Sequence, residues 1–389
     1  MLPLDDIRIL DLSRLAPGPF ASMLLGDLGA DVLLIEPPSD SKAGAGAGFR
    51  GGEALDALRR NKRSIVLNLR DEEARDVFYK LAESADVVLE GFRPGVVKRL
   101  GVDYETLRTK NPRLVYCSLS GFGQTGPYSS NVGHDINYIS IGGALGMIGN
   151  SPDAPPAIPM NVIADFAGGG LHAAFGILAA LHARERTGQG QNIDIAMSDG
   201  VLYLLAQTIS GYFSNGRVPE RGDTVLNGAV PAYNVYQCQD GGWISIGSLE
   251  PHFWANLCTV MGREDFIAHQ YDGDKRDEIF AHFRQQFMSR GRDEWFEILT
   301  KTDICAAPIY SLDEALQDAH NIARKMIVEV DGGELGTIKQ VGIGTKLSET
   351  PGEIRSVGPV AGQDTDAVLG TLGFDAAGIA SLRERGAVA

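Results

Sequence analysis

From Asp6 to Gly121, short apolar runs alternate with longer mixed stretches. DIRILDLS predicts a strand, and Pro19 to Gly29 a helix closed by glycine. ADVLLIEPP is a second strand, stopped by two prolines, and SIVLNL (64–69) a third. Asp71 to Ser84 places Ala74, Val77, Phe78 and Leu81 on one face of a charged helix. DVVLEGF and RLVYCSLSGF give a fourth and a fifth strand. This order predicts an α/β fold with a doubly wound, mostly parallel sheet and helices on both faces. Ligands of such sheets sit beyond the carboxyl ends of the strands, here the loops after Ser13, Glu36, Leu69, Gly91 and Gly121.

Further on, Asp165 to Arg186 reads as one long helix with an apolar stripe of Leu171, Phe175, Leu178 and Leu181. NIDIAMSDG predicts a strand, and Val201 to Ser210 a helix. The polar, glycine-rich stretch from Gly211 to Gly228 reads as a linker. Residues 231–249 form a hairpin about a DGG turn, and Glu250-Pro251 opens a helix. Charged helices run to about Thr302, followed by a strand in CAAPIYS, a helix in DEALQDA and a second hairpin in MIVEVDGGELGTIKQV. The expected organisation is a large Rossmann-like domain at 1–210, a linker at 211–230, a smaller α+β domain at 231–325, and a linker and return to the large domain at 326–389.

A length of 389 residues suits two domains, and 44% apolar with 22% charged residues is the composition of a soluble globular protein. A net charge of −15 argues against nucleic acid as a partner. Uninterrupted apolar runs such as Gly176 to Leu181 are too short to span a bilayer, and MLPLDDIRIL enters a strand at once. No membrane partner and a cytoplasmic location are therefore expected. Cys117, Cys238, Cys258 and Cys305 are scattered, without metal-ligand spacing, and read as reduced thiols.

The candidate chemistry gathers between Gly133 and Gly170. Gly133, His134, Asp135, Asn137 and Tyr138 form a tight polar cluster. Asp165, followed by Gly168, Gly169 and Gly170, reads as an acidic helix start whose small residues admit a close approach. A His and an Asp brought together across that loop make a proton-relay pair. His172 and His182 read as packed or surface residues, since nothing stands at metal spacing from them. Ile139 to Met147 read equally as helix core or as an apolar surface for a ligand. Gly121, Gly123 and Gly126 spell GxGxxG, but Pro127 and a polar loop follow where a dinucleotide site needs a helix, so NAD is rejected. RRNKRS (59–64) reads as a solvated loop or as a phosphate clamp, with Arg93 a second phosphate candidate.

Several ordered motifs resemble a known family. They include LAPGPFASMLLGDLGADV (15–32), KRSIVLNLR (62–70), EGFRPGVVKRLG (90–101), LSGFGQTGP (119–127), GHDINY (133–138), ADFAGGG (164–170), TGQGQNIDIAM (187–197) and LEPHFW (249–254). The chain resembles the family III CoA-transferase superfamily, and within it most closely the α-methylacyl-CoA racemases. The resemblance implies an interlocked homodimer and an acyl-CoA substrate, with CoA as part of the substrate and no metal or redox cofactor. It implies His134 and Asp165 as the acid/base pair, and Glu250, contributed by the partner chain, as a support for the histidine. Implied contacts to CoA and substrate are Leu67, Asn68, Leu69, Arg70, Arg93, Gly133, Asp135, Ile136, Asn137 and Tyr138. Backbone amides at the helix start by Asp165 are the expected donors to an enolate oxygen. The implied reaction is epimerisation of 2-methylacyl-CoA thioesters, within fatty-acid and lipid metabolism. The rival on the same fold is a CoA-transferase with Asp165 as covalent nucleophile. A silent CoA-binding scaffold is a third reading that no residue favours. One departure is Glu36-Pro37 where racemases carry an arginine against the CoA adenine, which leaves Arg50 or the RRNKR group for that role. The acyl group stays open.

Overall fold

Apolar runs stopped by proline, glycine and charge make short strands, and helices between them oblige neighbours to run in parallel. The computed structural model describes residues 1–38 and 52–389. Its strands β1 (Arg8–Asp11), β2 (Asp31–Glu36), β3 (Lys62–Val66), β4 (Val87–Glu90), β5 (Val115–Ser120) and β6 (Asn192–Ala196) form one sheet in the order β3-β2-β1-β4-β5-β6. Every pairing is parallel, and β4 and β5 are buried at each position, as strands covered on both faces must be.

Helix α1 (Pro17–Asp27) begins two residues before the expected start, because a proline fits the first helical turn. Asp71 caps α2 (Glu72–Glu83) by accepting from the Ala74 amide at 3.1 Å, and Ala74, Val77, Phe78 and Leu81 are buried as predicted. Short helices α3 (Val96–Leu100) and α4 (Tyr104–Leu107) lead into β5. The third strand is shifted from the expected 64–69. Leu67 bridges Val388, and the Asn68 amide donates to Ala387 O at 2.9 Å, so the C-terminal segment closes the strand end.

After α5 (Asp135–Ile141), a wide π-helix spans Val162–Leu171 and runs directly into α6 (His172–Thr187). This helix thus starts earlier than Asp165, and its first part is wound more widely than predicted. Its glycines explain the packing. A Cβ on Gly170 would come within 2.6 Å of Pro17 O, and one on Gly200 within 2.1 Å of Gly168 O. The partners admitted by these small residues are α1 and α7 (Met197–Leu204), not a ligand. The stretch Val162–Thr187 is long and apolar enough to cross a membrane by length and composition alone. Counting uninterrupted apolar runs missed this, because glycine and alanine dilute a run without making it polar.

RRNKRS is taken up by ion pairs rather than left as a solvated loop or a phosphate clamp. Buried Arg60 donates Nε and Nη2 to the two oxygens of Asp27 at 2.9 and 2.5 Å. Buried Lys62 donates to Ser22 Oγ at 2.6 Å and Pro19 O at 3.0 Å, with Asp11 Oδ2 at 3.6 Å. Burial pulls its ammonium down to about 8 against the attraction of Asp11. Arg59 forks onto Glu36 at 3.0 and 2.8 Å, and Arg63 pairs with Asp31 at 2.7 Å. Burial works against the Glu36 carboxylate, but Arg59 and Ser64 hold it below its ordinary range. Arg50 lies outside the described residues.

Contacts divide the chain into two units. The first comprises Met1–Gly142, Met160–Ala206 and Ala319–Ala389. Its last part adds α13 (Ala319–Ala323), the hairpin β10 (Ile327–Asp331) and β11 (Thr337–Val341), α14 (Thr365–Thr371) and α15 (Ala376–Glu384). Val368, Leu369, Ile379 and Leu382 join the core beside α2. The second unit comprises Gly143–Pro159 and Gln207–Asp318. Here α8 (Ala206–Asn215) precedes an antiparallel sheet of β7 (Tyr233–Gln237), β8 (Trp243–Gly247) and β9 (Ala306–Ile309). Helices α9 (Pro251–Val260), α10 (Gly273–Phe287), α11 (Arg292–Thr300) and α12 (Leu312–Gln317) accompany it. Trp254, Phe266, Phe283, Phe287 and Trp295 fill its core. The stretch 211–230, expected as a linker, is tied into this unit. Arg221 donates to Ser151 O at 3.0 Å and Pro152 O at 2.5 Å.

Candidate active site

Strand order reverses at β1, which has β2 on one side and β4 on the other, and the crevice beyond such a reversal is where ligands enter. A cavity of about 550 Å³ opens there. The loop after β1 contributes Ser13, Arg14 and Leu15, and the loop after β4 contributes Gly91, Phe92 and Arg93. Phe122, Gly133, His134, Asn137 and Tyr138 line the next wall, with Asp165 and Met197. His134 and Asp165, distant in sequence, therefore share one cavity. Among the described residues, none from the loops after Glu36 and Leu69 lines it.

Asp135 brings the pair together. Its buried carboxylate accepts from the amides of Ala164 and Asp165 at 2.7 and 2.8 Å. It thereby caps the early π-helix and pins it to the start of α5, where His134 stands exposed. The His134 amide donates to Asn137 Oδ1 at 3.0 Å, which fixes the first turn. Asp135 thus turns one carboxylate oxygen into the protein, and it occupies the amides expected to face an enolate oxygen. Tyr138 is also committed internally, donating to Gly133 O at 2.5 Å, with its ring where a Cβ on Gly121 would come within 2.3 Å.

Burial raises the Asp165 carboxyl above its ordinary range, and the Asp135 charge adds to this. A hydrogen bond from Asn161 at 3.1 Å and the nearby His134 act in the opposite sense. Glu90, at the carboxyl end of β4, is 1% exposed and is pushed by burial up to about 7. Its Oε2 accepts from the Phe92 amide at 2.7 Å, below the cavity loop that holds Phe92 and Arg93.

The other expected residues lie elsewhere. Leu67 is buried, Asn68 is bound to the C-terminal segment, Leu69 packs against the core and Arg70 is exposed. None of the four lines this cavity. Ile136 is exposed and outside the cavity lining. Glu250 is exposed in the second unit, at the residue preceding α9. Ile139, Ile141 and Gly142 do not line the cavity; its apolar wall includes Leu15, Phe92, Leu119, Phe122, Val132 and Met197. Arg14 and Phe92 were not singled out in the sequence, although the strand-end rule had marked both loops. GxGxxG leads into a loop, and the next helix begins only at Asp135.

A histidine and an aspartate on one cavity at the strand-order reversal of a parallel sheet stand where doubly wound α/β folds bind their ligands. The family model of CoA-transferase family III matches residues 4–365, and the chain belongs to that family. It is 35% identical over 376 residues to human α-methylacyl-CoA racemase, covering 96% of this chain and 94% of that protein. It is 36% identical over 379 residues to succinyl-CoA–D-citramalate CoA-transferase of Chloroflexus aurantiacus, covering 93% and 92%. The crystal structure of a CAIB/BAIF family protein from Brucella suis superimposes with a TM-score of 0.81 at 29% identity, covering 95% of this chain and 99% of that one. The family and the Rossmann-like fold expected from the motifs both hold. Racemase and transferase relatives stand at similar identity.

Proposed function

We propose that the protein epimerises 2-methylacyl-CoA thioesters by 1,1-proton transfer between His134 and Asp165. The observation that carries this reading is the shared cavity of the two residues, with Asp165 raised above its ordinary range by burial. A thioester stabilises the adjacent carbanion as an enolate. Neutral His134 removes the α-proton from one face, and protonated Asp165 delivers a proton to the other; for the opposite enantiomer the roles reverse. A raised carboxyl supports the donor role, whereas a covalent nucleophile must be ionised when it attacks. CoA enters as part of the substrate, and the reaction needs no further cofactor. We further propose a homodimer in which Glu250 of the partner subunit supports His134.

The second reading is a CoA-transferase with Asp165 attacking the acyl-CoA, and it is favoured by transferase relatives at equal identity. Mass spectrometry of (S)-2-methylacyl-CoA in D₂O with succinate present separates the two. Deuterium at the α-carbon with both enantiomers appearing supports epimerisation. Formation of succinyl-CoA without α-deuterium contradicts it.

A further inference from the structure

We propose that Glu90 is a positioning residue for CoA, fixing the loop through which Arg93 meets the CoA phosphates, an inference that rests on the acyl-CoA reading above. Glu90 ends β4 and is 1% exposed. Its Oε2 accepts from the Phe92 amide at 2.7 Å, and Ser118, its register partner on β5, bonds the same carboxyl. The carboxyl thus reaches past Gly91 and ties the start of the loop to the interior of the sheet. Burial pushes it up to about 7, with Asp194 adding to this, whereas Ser118 and the Phe92 amide draw it down. A buried strand end is an unfavourable place for a carboxyl, and these two bonds oppose that cost.

The loop so held is a cavity wall. Phe92, Arg93 and Pro94 all line the cavity that contains His134 and Asp165. Phe92 packs on the core of the first unit, and the Arg14 guanidinium carbon lies 5.8 Å from its ring centroid. At the far end Gly95 adopts φ +82° as it leads into α3, where Val97 is buried in the same core. The loop is therefore fixed at both ends, by Glu90 and by Val97, with exposed Arg93 between them. Burial and Asp165 push the Tyr138 hydroxyl up while the Arg93 charge pulls it down, so the guanidinium stands close to the α5 wall of the cavity. A guanidinium grips phosphate best when its fork is aimed, since two N–H groups must meet two oxygens. Releasing the Phe92 amide frees the adjacent residue, and binding then weakens through Arg93, which Glu90 holds by way of the backbone.

Glu90→Leu removes the acceptor, whereas Glu90→Gln keeps a carbonyl oxygen for Phe92 and an amide for Ser118. Calorimetric Kd for CoA is measured in the wild type, in both variants, in Arg93→Met, and in Glu90→Leu combined with Arg93→Met. Glu90→Leu is expected to weaken CoA roughly 10-fold, and Glu90→Gln to bind within about twofold of the wild type. The double variant is expected to bind no more weakly than Arg93→Met alone. An unchanged Kd in Glu90→Leu overturns the inference. So do additive losses in the double variant, which assign Glu90 to the fold in general. Failure of the wild type to bind CoA contradicts the acyl-CoA reading instead, and hydrogen exchange across residues 91–95 then decides whether Glu90 holds the loop. Faster exchange in Glu90→Leu than in Glu90→Gln is expected, and equal exchange overturns that role.

Discussion

Glu90 joins the cavity loop to the interior of the sheet, accepting from the Phe92 amide and lying beside Ser118 on β5. Asp194 on β6 adds repulsion, and Cys117 and Tyr116 on β5 are themselves pushed up by burial. The folded protein holds the Glu90 proton up to about 7, against 4.5 when unfolded. Between those values the unfolded chain releases the proton first, so stability falls as pH rises from 4.5 to about 7 and then levels off. The contribution is roughly 3 kcal/mol across that window. Urea unfolding of Glu90→Gln between pH 4.5 and 8 should show a flatter pH dependence than the wild type; parallel curves would contradict the assignment. At this scale His134, Asp165 and Arg93, which line the cavity, were legible as candidates, because each stands at a strand or helix boundary. Arg14 was not, because one charge in a short loop has no periodicity to betray which way it faces.

Helix starts, rather than individual side chains, set the geometry of the pair. Asp135 spans α5 and the π-helix, so Asp135→Ala leaves two amides without their acceptor and costs roughly 2–4 kcal/mol. Catalytic turnover should fall more than KM rises, because the substitution shifts Asp165 relative to His134 without removing either. Asp135→Asn, which keeps one carbonyl oxygen, should recover part of both losses in urea melts and kinetics. The sequence showed GHDINY as one polar cluster. It did not distinguish the residue that faces inward to cap another helix from the one that faces the cavity, since that depends on a partner far along the chain. RRNKRS misled for a related reason. Adjacent cations look solvated until the sheet brings Asp27, Asp31, Glu36 and Asp11 beside them.

At the scale of the whole molecule, the end of the π-helix, α6 and α7 leave large apolar side chains exposed. Leu171 is 52% exposed, Phe175 69% and Tyr203 76%. Exposed apolar side chains of this size suit an interaction face, and the proposed homodimer supplies a second copy to cover them. Phe175→Glu should therefore shift sedimentation velocity towards the monomer, whereas an unchanged dimer would move the interface elsewhere. The parallel, doubly wound sheet was legible from alternating apolar runs, whereas its strand order was read only from the structure. The membership of 143–159 in the second unit was not, because it depends on Arg221 reaching back to carbonyls from a stretch with the composition of a linker.

The central claim is that two residues work on opposite faces of one α-carbon. Stereospecific α-proton exchange in D₂O tests it most directly, using separate (R)- and (S)-2-methylacyl-CoA with His134→Ala and Asp165→Asn. Each variant should lose epimerisation yet still exchange the α-proton of one enantiomer, and the surviving enantiomer should differ between the two. Full epimerisation by either variant, or loss of exchange from the same enantiomer in both, would contradict a two-base mechanism.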